Sequence, residues 1–263
     1  MEFHQLVLAQ TIEEAYEAVK DRGATILGGA TWLRITAKHL DYAVDISDLG
    51  LSYIRETGDR IEIGATTTLR SLETDSLLAS RYGGLFARTL GHIVGVQLRN
   101  LSTIGGSLAG RYGFSDVATL FLALGAQLDI YPSGLMNLED YMAAADHGPH
   151  LIRSVSIPAH PVPAAFQTIR ITHSDFPILN AAAAYTNRGW RIAVGARPGR
   201  AQLAKSAMQA LGTEAKPGAD LISRAAWLSA EELGFGKDIR ADEEYRKTVC
   251  PVLVRRAVEE ASR

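Results

Sequence analysis

Arg99-Asn100-Leu101-Ser102-Thr103-Ile104-Gly105-Gly106-Ser107-Leu108-Ala109 is the stretch on which the reading of this 263-residue chain turns, together with an earlier one, Ala24-Thr25-Ile26-Leu27-Gly28-Gly29-Ala30-Thr31-Trp32. In the earlier stretch a short β-prone run meets a glycine pair at once, and residues 31–38 read as a short helix. In the later one the glycine pair lies in a polar loop, residues 102–107. Glycine lets the backbone come close to a ligand, and consecutive exposed N–H groups form an anion-binding nest. A helix N-terminus beside such a loop adds a favourable partial charge. Two nests facing each other suit a pyrophosphate, one loop per phosphate, without a phosphate-binding lysine. Either glycine pair taken alone is more simply a tight turn. No G-x-G-x-x-G follows the first strand and no G-x-x-x-x-G-K-[ST] occurs, so the Rossmann and Walker nucleotide signatures are both absent.

Working outward, Thr11 and Glu14 have capping-box spacing and open a helix that Gly23 ends. Residues 24–27 and 42–46 read as strands, which makes the opening a β/α alternation. Residues 51–56 and 60–65 alternate in polarity and join through Gly58-Asp59, a hairpin signal. Helical stretches follow at 69–78, 85–91 and 115–124, with strands at 127–131 and 151–157. His160-Pro161-Val162-Pro163 marks a linker, because proline fixes φ and removes donors. Beyond it, 165–171, 178–185 and 190–196 read as three strands, and 201–211, 220–228 and 243–262 as helices. The expected class is α+β in three units: 1–56, a small α/β subdomain; 57–159, an α+β subdomain; and 160–263, a three-stranded sheet with helices.

The chain is 47% hydrophobic, enough for a sizeable core, and its formal charge of -2 favours neither nucleic acid nor an anionic membrane as a partner. The N-terminus lacks a basic region before an apolar core, and no apolar run approaches the roughly 18 residues of a membrane span, so a cytoplasmic protein is expected. The single cysteine, Cys250, can form neither an internal disulfide nor a cysteine-ligated iron–sulfur cluster, and it reads as a buried structural thiol. Any electrons handled here must be carried by an organic cofactor. Asp146-His147-Gly148-Pro149-His150 reads as a solvated turn rather than a metal site. Thr172-His173-Ser174-Asp175 lacks the nucleophile elbow a triad would need.

The ordered motifs resemble the FAD-binding subunit or domain of the xanthine dehydrogenase and carbon monoxide dehydrogenase family. There the first loop is usually A-G-G-T-D-L and the second R-N-x-x-T-I-G-G-N-x-A. A Ser/Ala-Asp pair then opens a helix, here Ser115-Asp116. Tyr245-Arg246, followed by Val252-Leu253-Val254-Arg255-Arg256-Ala257, matches the family's C-terminal pattern. The resemblance implies a two-part FAD domain of the vanillyl-alcohol oxidase (PCMH) type and a C-terminal flavoprotein domain. It implies that Gly28, Gly29, Ala30 and Thr31 face the pyrophosphate of FAD through backbone N–H groups, with Leu27 and Trp32 beside them as cofactor-binding residues, that Thr103, Gly105, Gly106 and Ser107 close the other side, and that Ile104 lies near the flavin ring. Asp116 would accept hydrogen bonds from cofactor hydroxyls, its alternative being a helix-dipole residue. Ile152 would pack near the cofactor, and Gln167 stands where several relatives carry a lysine that approaches the flavin. Trp32, Ser107, Gln167 and the stretch Arg111-Tyr112-Gly113-Phe114 depart from the family pattern.

The function so implied is electron transfer within a multisubunit molybdenum hydroxylase. The partners would be a molybdopterin-binding large subunit and a 2Fe–2S small subunit, and NAD+ or another acceptor would take the electrons. Two alternatives stay open: a stand-alone flavin oxidoreductase, and a scaffold subunit without cofactor.

Overall fold

The computed structural model describes residues 2–35 and 39–263. Its first sheet is parallel: β1 (Glu2–Leu8), β2 (Thr25–Leu27) and β3 (His39–Asp45), with β3 in the middle. The helix Ile12–Arg22 connects β1 to β2. It starts because the Thr11 hydroxyl accepts the Glu14 N–H at 3.1 Å, while the Glu14 carboxylate reaches back to the Gln10 N–H at 2.8 Å. It stops at Gly23, left-handed at φ 63°. Buried Ala15 and Ala18 set the helix against Val44 and Ile46. Strand β1 was not anticipated: most of its side chains are exposed, so it carries no apolar alternation. Of the helix expected over 31–38 only a single turn, Leu33–Ile35, is seen, and residues 36–38 lie outside the described residues.

The second sheet holds β4 (Ile54–Thr57), β5 (Arg60–Gly64), β6 (Gln127–Tyr131), β7 (Gly134–Asn137) and β8 (Leu151–Pro158) in the order β4-β5-β8-β6-β7. Helices pack on it around Ile61, Ile63, Leu72, Leu78, Phe86 and Phe121, all essentially inaccessible. The helix expected over 69–78 is two helices, Leu69–Thr74 and Ser76–Tyr82, because Asp75 turns extended and its carboxylate caps the second at 2.9 Å. Residues 104–109, read as loop, form a short helix capped by Thr103. Strand β7 and the helix Leu138–Ala143 had no clear sequence signal.

The third sheet is antiparallel: β9 (Ala164–Ile169), β10 (Leu179–Thr186), β11 (Gly189–Gly195) and β12 (Gln202–Leu203), in the order β12-β11-β10-β9. The three strands expected are present. The two-residue β12 occupies the start of an expected helix, which begins instead at Lys205. Ala182 and Ala184 of β10 face the central core with the helix Asp116–Ala123, while Ala181 and Ala183 face the core of the helix Glu243–Ala261. Short side chains on both faces let this strand lie between two helical layers and fuse the C-terminal unit to the rest.

Arg246 explains the Tyr-Arg motif. Its guanidinium, wholly inaccessible, donates to the carbonyls of Ile178 (2.9 Å), Gly236 (2.8 Å) and Ala241 (2.7 Å) and to Asp238 (2.6 Å). It pins the last helix to the sheet and to the preceding loop. That helix continues through Pro251, whose missing N–H and ring are offset by burial in the core. Next to it Cys250 is inaccessible, and burial pushes its thiol up to about 11. In the native protein at pH 8 this thiol is therefore expected to ignore an aromatic disulfide reagent, and one equivalent should react once the chain is denatured. Rapid native labelling would contradict this placement. No helix among the described residues is long and apolar enough to cross a membrane.

Candidate functional site

The two glycine stretches meet. A Cβ built on Gly29 would lie 1.5 Å from the carbonyl oxygen of Leu101, and one on Gly28 would lie 2.8 Å from the Thr103 hydroxyl. The hydroxyls of Thr31 and Ser102 share a hydrogen bond at 3.0 Å. Glycine is required in the first loop because backbone runs against backbone there.

The stretches are not alike, which corrects the expectation of two facing nests. Among the described residues, no backbone N–H from Gly28 through Trp32 donates to a protein acceptor. In the second stretch the N–H groups are spent: Ile104 on the Thr67 carbonyl (2.9 Å), Gly105 on that of Ala65 (2.9 Å), Gly106 on the Thr103 hydroxyl (3.2 Å) and Ser107 on the Thr103 carbonyl (3.0 Å). Thr103 as helix cap and the bridge between Thr103 and Thr68 consume the donors. One open row of N–H groups therefore faces a wall of small residues and hydroxyls. Gly105 is glycine for packing, since a Cβ there would meet Ala65 at 2.8 Å.

Two cavities open from this junction. One, about 380 Å³, runs along Gly28–Trp32 and is closed by Gly106, Ser107, Tyr141 and His150. The other, about 320 Å³, is lined by Leu69, His92, Phe114, Asp116, Arg170 and Phe176. Thr31, Trp32, Ser102, Ser107 and Tyr112 border both. At this neck the Trp32 ring lies 5.0 Å from Tyr112, 5.0 Å from Phe114 and 6.2 Å from Phe176. These volumes fall in the range of small-molecule sites. A row of free N–H groups for a diphosphate, hydroxyls for ribityl or ribose groups and an apolar aromatic chamber for a ring fit a flavin dinucleotide.

Asp116 is buried at the floor of the second cavity, and both its oxygens hold protein donors, Arg170 at 2.5 Å and Asn180 at 2.7 Å. Burial pushes its carboxyl up, and the Arg170 guanidinium opposes the rise. Each oxygen keeps lone-pair capacity, but the first work of this carboxylate is to join the helix Asp116–Ala123 to the C-terminal sheet. His92, beside Arg170 and half covered, is lowered by that burial and by the neighbouring cation, which favours the neutral imidazole.

The remaining expected residues divide. Leu27, Ile104 and Ile152 are buried in the core and line neither cavity. Gln167 is also absent from the cavity walls and donates to Glu260 of the last helix at 2.6 Å. Alternation along β9 sends Phe166 toward the central core and residue 167 toward that helix. Arg170, three residues on, is a buried cation that does border the second cavity. Arg170, His92, Phe176 and Tyr141 had no local sequence signal, and His150, in the segment read as a solvated turn, lines the first cavity. Tyr112 and Phe114 had one, as departures from the family turn. His147 stacks on Tyr141 at 4.0 Å, and the Tyr141 hydroxyl pairs with His150 at 2.9 Å.

Ala30 sits in the first loop at φ 52°, in the left-handed region. Such a reversal turns successive N–H groups toward one point, and for alanine it costs about 1 kcal/mol relative to glycine. Ala30→Gly is therefore expected to raise stability by up to about 1 kcal/mol, read from urea midpoints at unchanged slope. A loss of stability would show that the methyl group packs usefully.

Comparison with known proteins gives the family. Residues 1–160 match the FAD binding domain in molybdopterin dehydrogenase, and residues 164–261 match the CO dehydrogenase flavoprotein C-terminal domain. The chain is 27% identical to the nicotine 6-hydroxylase medium subunit of Paenarthrobacter nicotinovorans, covering 95% of this chain and 94% of that one. It is 29% identical to the carbon monoxide dehydrogenase medium chain of Afipia carboxidovorans, over 90% and 88%. A chain of reconstituted CO dehydrogenase from Oligotropha carboxidovorans superposes with a TM-score of 0.89 at 25% identity, over 98% and 97% of the two chains. Quinoline 2-oxidoreductase from Pseudomonas putida shares the fold, with a TM-score of 0.86 at 22% identity over 98% and 96%. The paired domains, in this order and over nearly the full length, make the chain a member of the FAD-binding flavoprotein subunits of the molybdopterin dehydrogenases, a family of oxidoreductases.

Proposed function

We propose that this chain is the electron-transfer flavin subunit of a multisubunit molybdenum hydroxylase. In this reading it works with a molybdopterin-binding large subunit and a 2Fe–2S small subunit, and it delivers their electrons to NAD+ or another acceptor. The observation that carries the reading is the open row of N–H groups at Gly28–Trp32 beside an aromatic chamber, in a chain that matches both flavoprotein families. Bound FAD would supply the redox chemistry, exchanging electrons singly on one side and in pairs on the other. The chain's residues bind and orient. Gly28, Gly29, Ala30 and Thr31 offer N–H donors to the diphosphate, and the Thr103 and Ser107 hydroxyl oxygens face the ribityl or ribose hydroxyls. Trp32, Tyr112, Phe114 and Phe176 keep water from the ring. No acid–base residue of this chain is needed for a hydroxylation carried out on the large subunit.

The test is a titration of the purified full chain with FAD, followed by its visible absorption, with the flavin released on denaturation then measured. A shifted flavin band at about one equivalent per chain is expected. Adding the reduced partner subunits should then bleach the band, and NAD+ should restore it. A second reading has its own support. The ring cluster at the neck narrows the path between the two cavities, as a scaffold subunit that no longer takes cofactor would. A folded chain that stays colourless at high FAD sinks the electron-transfer role and favours the scaffold.

A further inference from the structure

A third cavity, of about 340 Å³, shares no residue with the other two. It lies at the far end of the central sheet. Its walls include Arg60 at the start of β5, Gln127 at the start of β6 and Pro158 at the end of β8. The glycine loops pack at the opposite end, where Gly105 meets Ala65 just beyond β5. The length of β5 alone separates the two ends by roughly 15 Å. The β10–β11 hairpin of the C-terminal sheet closes the cavity with Asn187, Arg188 and Arg191.

The charges here are not balanced. Arg60 is half-buried, and its donors go to neutral acceptors: the Ser156 hydroxyl at 2.8 Å, the Ser156 carbonyl at 2.7 Å and the Gly125 carbonyl at 3.3 Å. Arg191 has a side chain only 24% exposed and donates to the Leu122 carbonyl at 3.1 Å. Glu139 pairs with it only loosely, through Oε2 at 3.9 Å, and shares its charge with Lys205, which holds Oε1 at 2.8 Å. Arg188, exposed at the hairpin tip, adds a third positive charge that repels Arg191. Against these stand Asp59, exposed, and the shared Glu139. Burial lowers both Arg60 and Arg191, the sign of guanidinium groups desolvated without a sufficient counter-charge. A cation held this way costs free energy unless an anion completes it, and guanidinium groups match oxyanions in bidentate geometry.

We propose that this cavity is a second ligand site, separate from the flavin groove, that takes a multivalent oxyanion of the phosphate class between Arg60, Arg188 and Arg191. The site joins the second and third sheets, so its occupancy also clamps the C-terminal unit to the FAD-binding unit.

The test is calorimetric titration of the FAD-saturated full chain with inorganic pyrophosphate at low ionic strength. One equivalent is expected to bind, with affinity falling as salt rises. Arg191→Gln and Arg188→Gln should each weaken binding at least tenfold and leave FAD affinity unchanged. Arg188 is exposed, so its variant keeps the test alive if Arg191→Gln does not fold. No pyrophosphate binding to the folded, loaded chain would overturn the proposal, and so would binding that neither variant weakens. Should the chain take up no FAD, Gly29→Ala separates the two sites. Pyrophosphate held by the arginine cavity survives that substitution, and pyrophosphate held by the glycine loop is lost.

Discussion

Gly29→Ala is expected to weaken FAD binding by at least 30-fold, a loss of about 2 kcal/mol or more, because the new methyl group cannot be housed. It would stand 1.5 Å from the Leu101 carbonyl oxygen and 2.5 Å from its carbon, and both atoms are backbone. Relief requires the two glycine stretches to separate. Separation breaks the Thr31–Ser102 hydrogen bond and turns the open N–H row away from the hydroxyl wall. Gly28→Ala provides the contrast. Its methyl group would meet a side-chain oxygen, that of Thr103 at 2.8 Å, which can rotate at the expense of its cap to Gly106. The order of the two losses, with Gly29 the larger, is read from fluorescence titration with FAD. Thermal melts of both variants show whether the fold survives. Equal and small losses would mean that the junction of the loops is not where the cofactor binds.

The second large effect is on stability. Asp116→Ala is expected to destabilise the protein by about 3–5 kcal/mol, because it leaves the Arg170 guanidinium buried beside no counter-charge. The side chains of this pair are only 6% and 3% exposed, and Asn180 loses its acceptor at the same time. The helix itself keeps its start, since the Ser115 hydroxyl still caps Ala118 at 3.0 Å. The damage should therefore fall on the joint between the helix Asp116–Ala123 and the strand Leu179–Thr186 rather than on helix content. Urea denaturation measures the loss. Adding Arg170→Met to Asp116→Ala should recover part of it, because removing both partners is less costly than stranding one. A change below about 1 kcal/mol for the single variant would place the pair among weak surface bridges. The joint bears on function as well, because Asp116 and Arg170 both line the cavity assigned to the flavin ring.

Much was legible in the amino-acid order because it is local. Capping by Thr11, the turn at Gly58 and the three long strands of the C-terminal sheet depend on a few neighbouring residues and on periodicity. The two glycine stretches were legible as well, since a position where backbone meets backbone tolerates no Cβ and so leaves a mark on the residue type itself. Strand β1 and the helical state of residues 104–109 were not, because an exposed strand carries no alternation and a glycine pair looks alike in a loop and in a capped helix.

The sequence alone therefore determined that two glycine stretches exist, and in what order the helices and strands around them follow. Which N–H groups stay free was decided only by the tertiary structure, through the carbonyls of Ala65 and Thr67 that consume those of the second stretch. So were the pairing of Asp116 with Arg170 and Asn180 and the gathering of Trp32, Tyr112, Phe114 and Phe176 into one chamber. These partners lie on separate elements, and a contact between distant segments leaves no trace in either one's local pattern: it exists only once burial of the core has brought them together.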